Sequence, residues 1–299
     1  MRGFVIAAVI AGGLVGASRA DAKVRVVTSI ETLAALTRAV GGELVEVQAL
    51  GKGYSDPHFV EPKLSLVSVL NRADLLAYVG LDLEVGWLPG LVTQSRNPRI
   101  QPGQPGTLDC STAIPVQDVP TQKVDRSMGD IHPRGNPHYW IPPDNAVRIA
   151  QEIARRLTLI DAGHGAAYNA NLKQLRAQVA ARLPGWNDLA AKVRGQKVVT
   201  YHKSWTYLSS WVGLQEVGYV EPKPGVPPSP QHLANLIALM KREGVRLVLV
   251  EMFYSRRTAD LVANKAGARL LSMPSDVGAF PYITDYFKLV DAVLQTLTK

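Results

Sequence analysis

With a single cysteine among 299 residues, the chain has no partner for an intramolecular disulfide. Cys110 sits in a Pro/Gly-rich stretch with no soft ligand beside it, so it reads as a small buried apolar residue, not a metal ligand. Long apolar runs are also missing: after the first residues none reaches the roughly 20 positions that a membrane-spanning helix needs. Charged residues make up only 19% of the chain, and the basic ones are scattered, with no run of five and no interleaved aromatics. A nucleic-acid surface is therefore not expected. Neither His-Glu-x-x-His nor Gly-x-Ser-x-Gly occurs, which removes the signatures of a helical zinc protease and of a serine hydrolase.

What is present is an apolar fraction of 46%, enough for real cores, in a chain about twice the usual domain length. Residues 1–22 read as a secretory signal: Arg2 supplies a positive start, residues 4–15 an apolar stretch, and Ser18-Arg19-Ala20 or Ala20-Asp21-Ala22 a small-residue cleavage site. No cysteine lies nearby to carry a lipid, so the expected location is the periplasm. Removing residues 1–20 takes away Arg2 and Arg19 and lowers the formal net charge from +8 to +6, a balance that suits solubility.

The remainder alternates between strand and helix patterns. Strands are expected at 24–28, 44–50 and 75–79, with helices at 30–40 and 62–71. Residues 89–137, rich in Pro, Gly, Gln and Ser, show little periodicity beyond a short strand candidate at 113–116. A helix follows at 144–159. The apolar stripe Leu172, Leu175, Val179 and Leu183 marks a long helix within 161–193, which Pro184-Gly185 should kink or break. A second alternation occupies 197–297. The expectation is an α/β protein of two lobes with mainly parallel sheets, at 23–160 and 195–299, joined by a long rigid backbone helix at 161–194.

Six histidines are present. Three of them, His58 in Asp56-Pro57-His58, His138 in Asn136-Pro137-His138 and His202 in Tyr201-His202-Lys203, follow extended segments. In open α/β sheets ligands gather at such strand-to-helix loops. With Asp276 of Ser275-Asp276 as the anionic partner, the four form a candidate site for one divalent cation. Glu61 and Glu251 are carboxylates suited to supporting an imidazole; Asp285 reads as a solvated residue inside a helix. His132, on the loop before His138, is an alternative ligand or a partner behind one, but reads first as an exposed loop residue, and His164 and His232 read as surface positions.

These segments together, with Gly135-Asn136-Pro137-His138-Tyr139-Trp140 and Thr200-Tyr201-His202-Lys203-Ser204-Trp205 foremost, resemble the metal-binding solute receptors of ABC importers for zinc and manganese (cluster A-I). The resemblance covers about residues 24–299. It implies a metal site in the interlobe cleft with ligands at His58, His138, His202 and Asp276, and a permease of the inner membrane as partner. It also implies a monomer, with a periplasmic metal chaperone as a further candidate partner. Many zinc members carry a long His/Asp-rich loop in the first lobe, and this chain has none. Three imidazoles and one carboxylate suit Zn2+, whereas the manganese members tend to replace an imidazole by a second carboxylate. A closed four-ligand shell favours capture over catalysis. The competing readings are a manganese or iron receptor and a periplasmic zinc-dependent hydrolase with Asp276 as general base.

Overall fold

The computed structural model describes residues 22–122 and 132–299. The expected signal segment thus lies outside the described residues except for its last position, as does the 123–131 part of the loop before His138.

Two four-stranded sheets, each entirely parallel in its pairings, carry the fold. The first comprises β1 (Val24–Thr28), β2 (Val45–Ala49), β3 (Leu75–Tyr78) and β4 (Thr107–Asp109) in the order β2-β1-β3-β4. The second comprises β5 (Lys197–Thr200), β6 (Gln215–Tyr219), β7 (Leu247–Glu251) and β8 (Arg269–Met273) in the order β6-β5-β7-β8. The two orders are the same topology repeated, although no sequence repeat announces it. Strands β1, β3, β5 and β7 are the central ones. Their Val and Leu residues, such as Val26, Leu75, Val198 and Val248, are almost completely buried, as expected for sheets covered on both faces.

Helices α1 (Glu31–Gly41), α2 (Leu64–Arg72), α3 (Leu88–Ser95) and α4 (Pro143–Ile160) accompany the first sheet; α6 (Thr206–Val212), α7 (Pro230–Glu243), α8 (Arg256–Ala266) and α9 (Tyr286–Leu297) accompany the second. Between them runs α5 (Gly165–Ala191), 27 residues long and therefore about 40 Å at 1.5 Å per residue. It packs against α1 and α4 on one side and α6 and α9 on the other, and one continuous apolar core follows it across both halves.

Three local expectations change. Pro184 does not interrupt α5; it faces solvent, where water can satisfy the freed carbonyl. Two residues on, Trp186 is buried, donates Nε1–H to Asp291 at 2.7 Å and stacks on Phe287, anchoring the last turns. The segment after residue 88 is more ordered than its composition suggests. There Pro89 occupies the first turn of α3, a position where its missing N–H costs nothing, and β4, not 113–116, forms the strand. Asp285 is the N-cap of α9, accepting from the Lys288 N–H at 3.0 Å.

The halves also meet directly. Trp140 donates its indole N–H to the Ser275 carbonyl at 2.7 Å, and the Tyr286 hydroxyl donates to the Ile141 carbonyl at 2.7 Å. Gly53 lies so close to this seam that a Cβ there would fall 1.8 Å from the Val277 carbonyl oxygen; only glycine fits.

Candidate metal centre

Two of the three histidines use one local device. In Asp56-Pro57-His58 the Asp56 Oδ1 accepts both the His58 backbone N–H, at 2.9 Å, and its ring Nδ1–H, at 2.7 Å. In Asn136-Pro137-His138 the Asn136 Oδ1 does the same, at 3.0 Å to the backbone and 2.9 Å to Nδ1. This is an Asx turn, with a proline in the middle that fixes φ and brings no competing N–H. The turn therefore sets the backbone, the tautomer and the ring orientation together. The Asn136 amide in turn donates to the Lys203 carbonyl at 2.9 Å, tying the His138 turn to the loop that carries His202.

His202 is held by register. Thr200 of β5 pairs with Tyr219 of β6, and the ladder continues through Val220 N–H to Thr200 O and Glu221 N–H to Tyr201 O, both 2.9 Å. Two residues beyond the strand ends, Glu221 lies beside His202 and accepts its Nδ1–H at 2.8 Å. Both side chains are buried.

With every Nδ1 turned outward to an oxygen, the three Nε2 atoms turn inward. One ligand atom from each of His58, His138 and His202 lies within 4.8 Å of the others. The ring centroids form a nearly equilateral triangle with sides of 5.2, 5.3 and 5.2 Å. Zinc–nitrogen bonds of about 2.0–2.1 Å place each ring centre about 3.2 Å from the ion, so a tetrahedral site spaces centroids by about 5.2 Å. His132, His138 and His202 border a cleft of about 480 Å³.

Burial sets the charge state. Burial lowers the pKa of His138 far below the imidazole range, helped by repulsion from His58 and His202. Burial also lowers His202, against the opposing pull of Glu221. Burial pushes the Asp56 carboxyl up, but its hydrogen bond and charge interaction with His58 outweigh this and leave it below its ordinary value. Burial thus favours the neutral form of the His138 and His202 rings, and Asp56 is kept ionised behind His58, an arrangement typical of metal-ligating histidines.

Asp276 does not join the group of three. Its carboxylate faces the N-terminus of α1 and accepts from Glu31 N–H at 3.2 Å, Thr32 N–H at 2.7 Å, the Thr32 hydroxyl at 2.5 Å and Val277 N–H at 2.9 Å. The residue before α1 is Ile30, which has no capping group, so a carboxylate from 244 positions away does the capping. The supporting carboxylates also differ from expectation. Glu61 is exposed beside Lys63. Glu251 is buried, and burial pushes it up to about 8. The oxygens that steady the imidazoles belong to Asp56, Asn136 and Glu221. The repeated Asx-Pro-His tripeptide was the available signal for the first two; Glu221 had none. His132 is half-buried, not exposed, with Nε2 at 3.2 Å from His58 Nε2. His164 pairs with Asp161 and His232 with the Tyr219 carbonyl, and Cys110 is fully buried.

The family model described as zinc-uptake complex component A, periplasmic, matches residues 26–299. The chain is 24% identical over 250 residues to the high-affinity zinc uptake system protein ZnuA of Bacillus subtilis, covering 83% of this chain and 76% of that one. It is 23% identical over 251 residues to the zinc-binding lipoprotein AdcA of Streptococcus pneumoniae, covering 84% of this chain but spanning only 50% of AdcA. Relatives named for iron (YfeA of Yersinia pestis) and manganese (PsaA of Streptococcus pneumoniae) match at 22% and 23% identity, covering 93% and 77% of this chain and 86% and 72% of theirs. A crystal structure of ZnuA superposes with a TM-score of 0.76 at 23% identity, covering 92% of this chain and 98% of that one, which establishes the fold. The chain belongs to the zinc-uptake complex component A family of periplasmic proteins.

Proposed function

We propose that this protein captures Zn2+ in the periplasm, holding it with the Nε2 atoms of His58, His138 and His202, and hands it to an ABC importer of the inner membrane. The observation that carries this reading is the triangle of three imidazoles, each with Nδ1 committed to an oxygen and each from a different strand-to-helix loop. An all-nitrogen face of this kind suits zinc and offers little to manganese, which prefers oxygen ligands. The family is one of transport components rather than enzymes. The hydrolase reading also loses its general base, since four donors already occupy the Asp276 carboxylate. The Asp276 contacts instead join the two lobes, 23–160 and 195–299.

Among the described residues no helix is long and apolar enough to cross a membrane. A cleaved signal peptide over residues 1–22, a monomeric receptor and a periplasmic chaperone as a second partner complete the proposal. The test is a competition titration of purified, metal-stripped protein against zinc, manganese and iron. One tight equivalent of zinc is expected, weakened at least ~100-fold by His202→Ala, beyond the 10–100-fold that loss of even a supporting partner costs. Preference for manganese, or indifference to His202→Ala, would remove this reading.

A further inference from the structure

We infer that the second lobe carries, at the edge away from the histidines, a docking surface for an anionic phospholipid bilayer. The inference stands apart from the zinc-receptor reading and goes beyond it.

Basic residues that are scattered in the sequence are gathered by the fold. The strands of the second sheet are all parallel, so they start at one edge, and the helices that lead into them end there. Where α5 passes into β5 stand Lys192, Arg194 and Lys197; where α7 passes into β7 stand Lys241, Arg242 and Arg246. Lys265 lies in the last turn of α8, and Arg269 opens β8. Leu247 pairs with Val198 on one side and with Arg269 on the other. Lys197, Arg246 and Arg269 therefore lie within one residue of the same level, on three adjacent strands about 4.8 Å apart. Lys197 is half-buried and the other seven are exposed.

Three carboxylates share these helix ends and strand starts. Asp188 lies one turn before Lys192. Glu243 accepts from both Lys197 at 2.9 Å and Arg242 at 3.3 Å, and Glu216 is turned inward to the Ser209 hydroxyl at 2.6 Å. Eight cations against three carboxylates leaves an excess of five, nearly all of the +6 carried by the chain without residues 1–20. Cations favour helix C-termini, which accounts for Lys241, Arg242 and Lys265 but not for the residues at the strand starts. The first lobe shows the contrast: its Lys23, Arg25 and Arg99, at the corresponding edge, are matched by Glu43 and Asp74.

The chemistry of this surface selects its partner. Among the described residues, none of the large apolar side chains left exposed falls in these segments, whereas a protein interface is built on an apolar, aromatic core. Helix C-termini carry partial negative charge, so this edge offers no backbone cradle for a single phosphate of the kind a helix N-terminus provides. What remains is a broad field of long cationic side chains, which matches a surface of many fixed phosphates. Each Lys or Arg held near an anionic bilayer raises partition roughly fivefold. His202 and Glu221 follow the opposite ends of β5 and β6, so a lobe resting on this edge keeps its histidines turned away from the lipid.

The experiment is co-sedimentation of the mature chain with vesicles of phosphatidylglycerol and phosphatidylcholine in equal parts, set against phosphatidylcholine alone. Binding to the anionic vesicles only is expected, and its loss as salt contracts the Debye length from about 10 Å at 0.1 M to about 3 Å at 1 M. K241Q/R246Q/R269Q should lower partition at least ~10-fold, while R72Q/R148Q/K173Q, the same charge loss from exposed positions on α2, α4 and α5, should lower it less than ~3-fold. Unchanged circular dichroism of both variants separates a lost contact from a lost fold. Zinc-loaded and zinc-free protein should partition alike. Equal losses in the two variants, partition that changes with zinc, or retention on heparin with none on the vesicles would each overturn the inference. Lipid binding in a protein that ignores zinc would remove the receptor reading alone.

Discussion

Replacing Asp276 by alanine separates a metal ligand from a helix cap. In the structure its carboxylate satisfies Glu31 N–H, Thr32 N–H, the Thr32 hydroxyl and Val277 N–H. Burial pushes this carboxyl up to about 7, against the donors on α1, which favour its ionised form. After truncation Val277 N–H keeps the Thr32 hydroxyl as acceptor, at 3.2 Å, but the two N–H groups at the start of α1 lose their partner. A buried donor left unsatisfied costs about 1–3 kcal/mol, and loss of an N-cap typically about 1 kcal/mol. Water entering the vacated space recovers part of this, leaving about 2–4 kcal/mol. At roughly 2–4 °C per kcal/mol for a protein near this size, the metal-free melting point should fall by about 4–16 °C. Circular dichroism melts in the presence of a chelator measure that fall. A competition titration on the same preparation should find zinc affinity within about tenfold of wild type, less than the loss of a ligand would bring. A variant that melts with the wild type but has lost zinc a hundredfold or more would show that Asp276 ligates the ion and that the capping argument is wrong.

Two further perturbations address the groups behind the ligands. Glu221→Ala removes the acceptor of His202 Nδ1–H and is expected to weaken zinc about 10–100-fold, with Glu221→Gln, which still offers an oxygen, falling between it and wild type; equal affinities for all three would refute the orienting role. Glu251 tests pH dependence: burial raises it from an ordinary 4.5 to about 8, so the folded protein keeps a proton that the unfolded chain releases above about 4.5. Fewer protons bound in the unfolded state mean that stability falls as pH rises from about 5 to 8. Glu251→Gln should therefore be more stable than wild type at pH 8, by an amount on the order of a few kcal/mol, and should show no such gain near pH 4.5. Parallel stability profiles in urea at the two pH values would rule this out.

Most of the strand–helix alternation was legible because period and composition are local properties. The strands β1, β2, β3 and β5–β8 each follow a short apolar or alternating run. Elements that depend on distant partners were not legible. The three-residue β4 exists because Thr107, Leu108 and Asp109 register on Leu76, Ala77 and Tyr78; nothing within the tripeptide asks for a strand. Pro184 reads as a helix breaker, but Trp186 is anchored to α9 through Asp291 and Phe287, and that packing carries α5 through.

The same division runs through the site. Asp56-Pro57-His58 and Asn136-Pro137-His138 contain nearly everything needed to orient their imidazoles, because an Asx turn closes within three consecutive residues. The local turns that orient His58 and His138 could therefore be read from the chain alone. Which groups surround them could not. Glu221 reaches His202 only through the parallel register of β5 and β6, and Asp276 turns to α1 only because that helix begins at Ile30 without a cap of its own. Each of these depends on elements meeting in space, and sequence spacing carries no record of which buried donor remains unpaired until the rest of the molecule has folded around it.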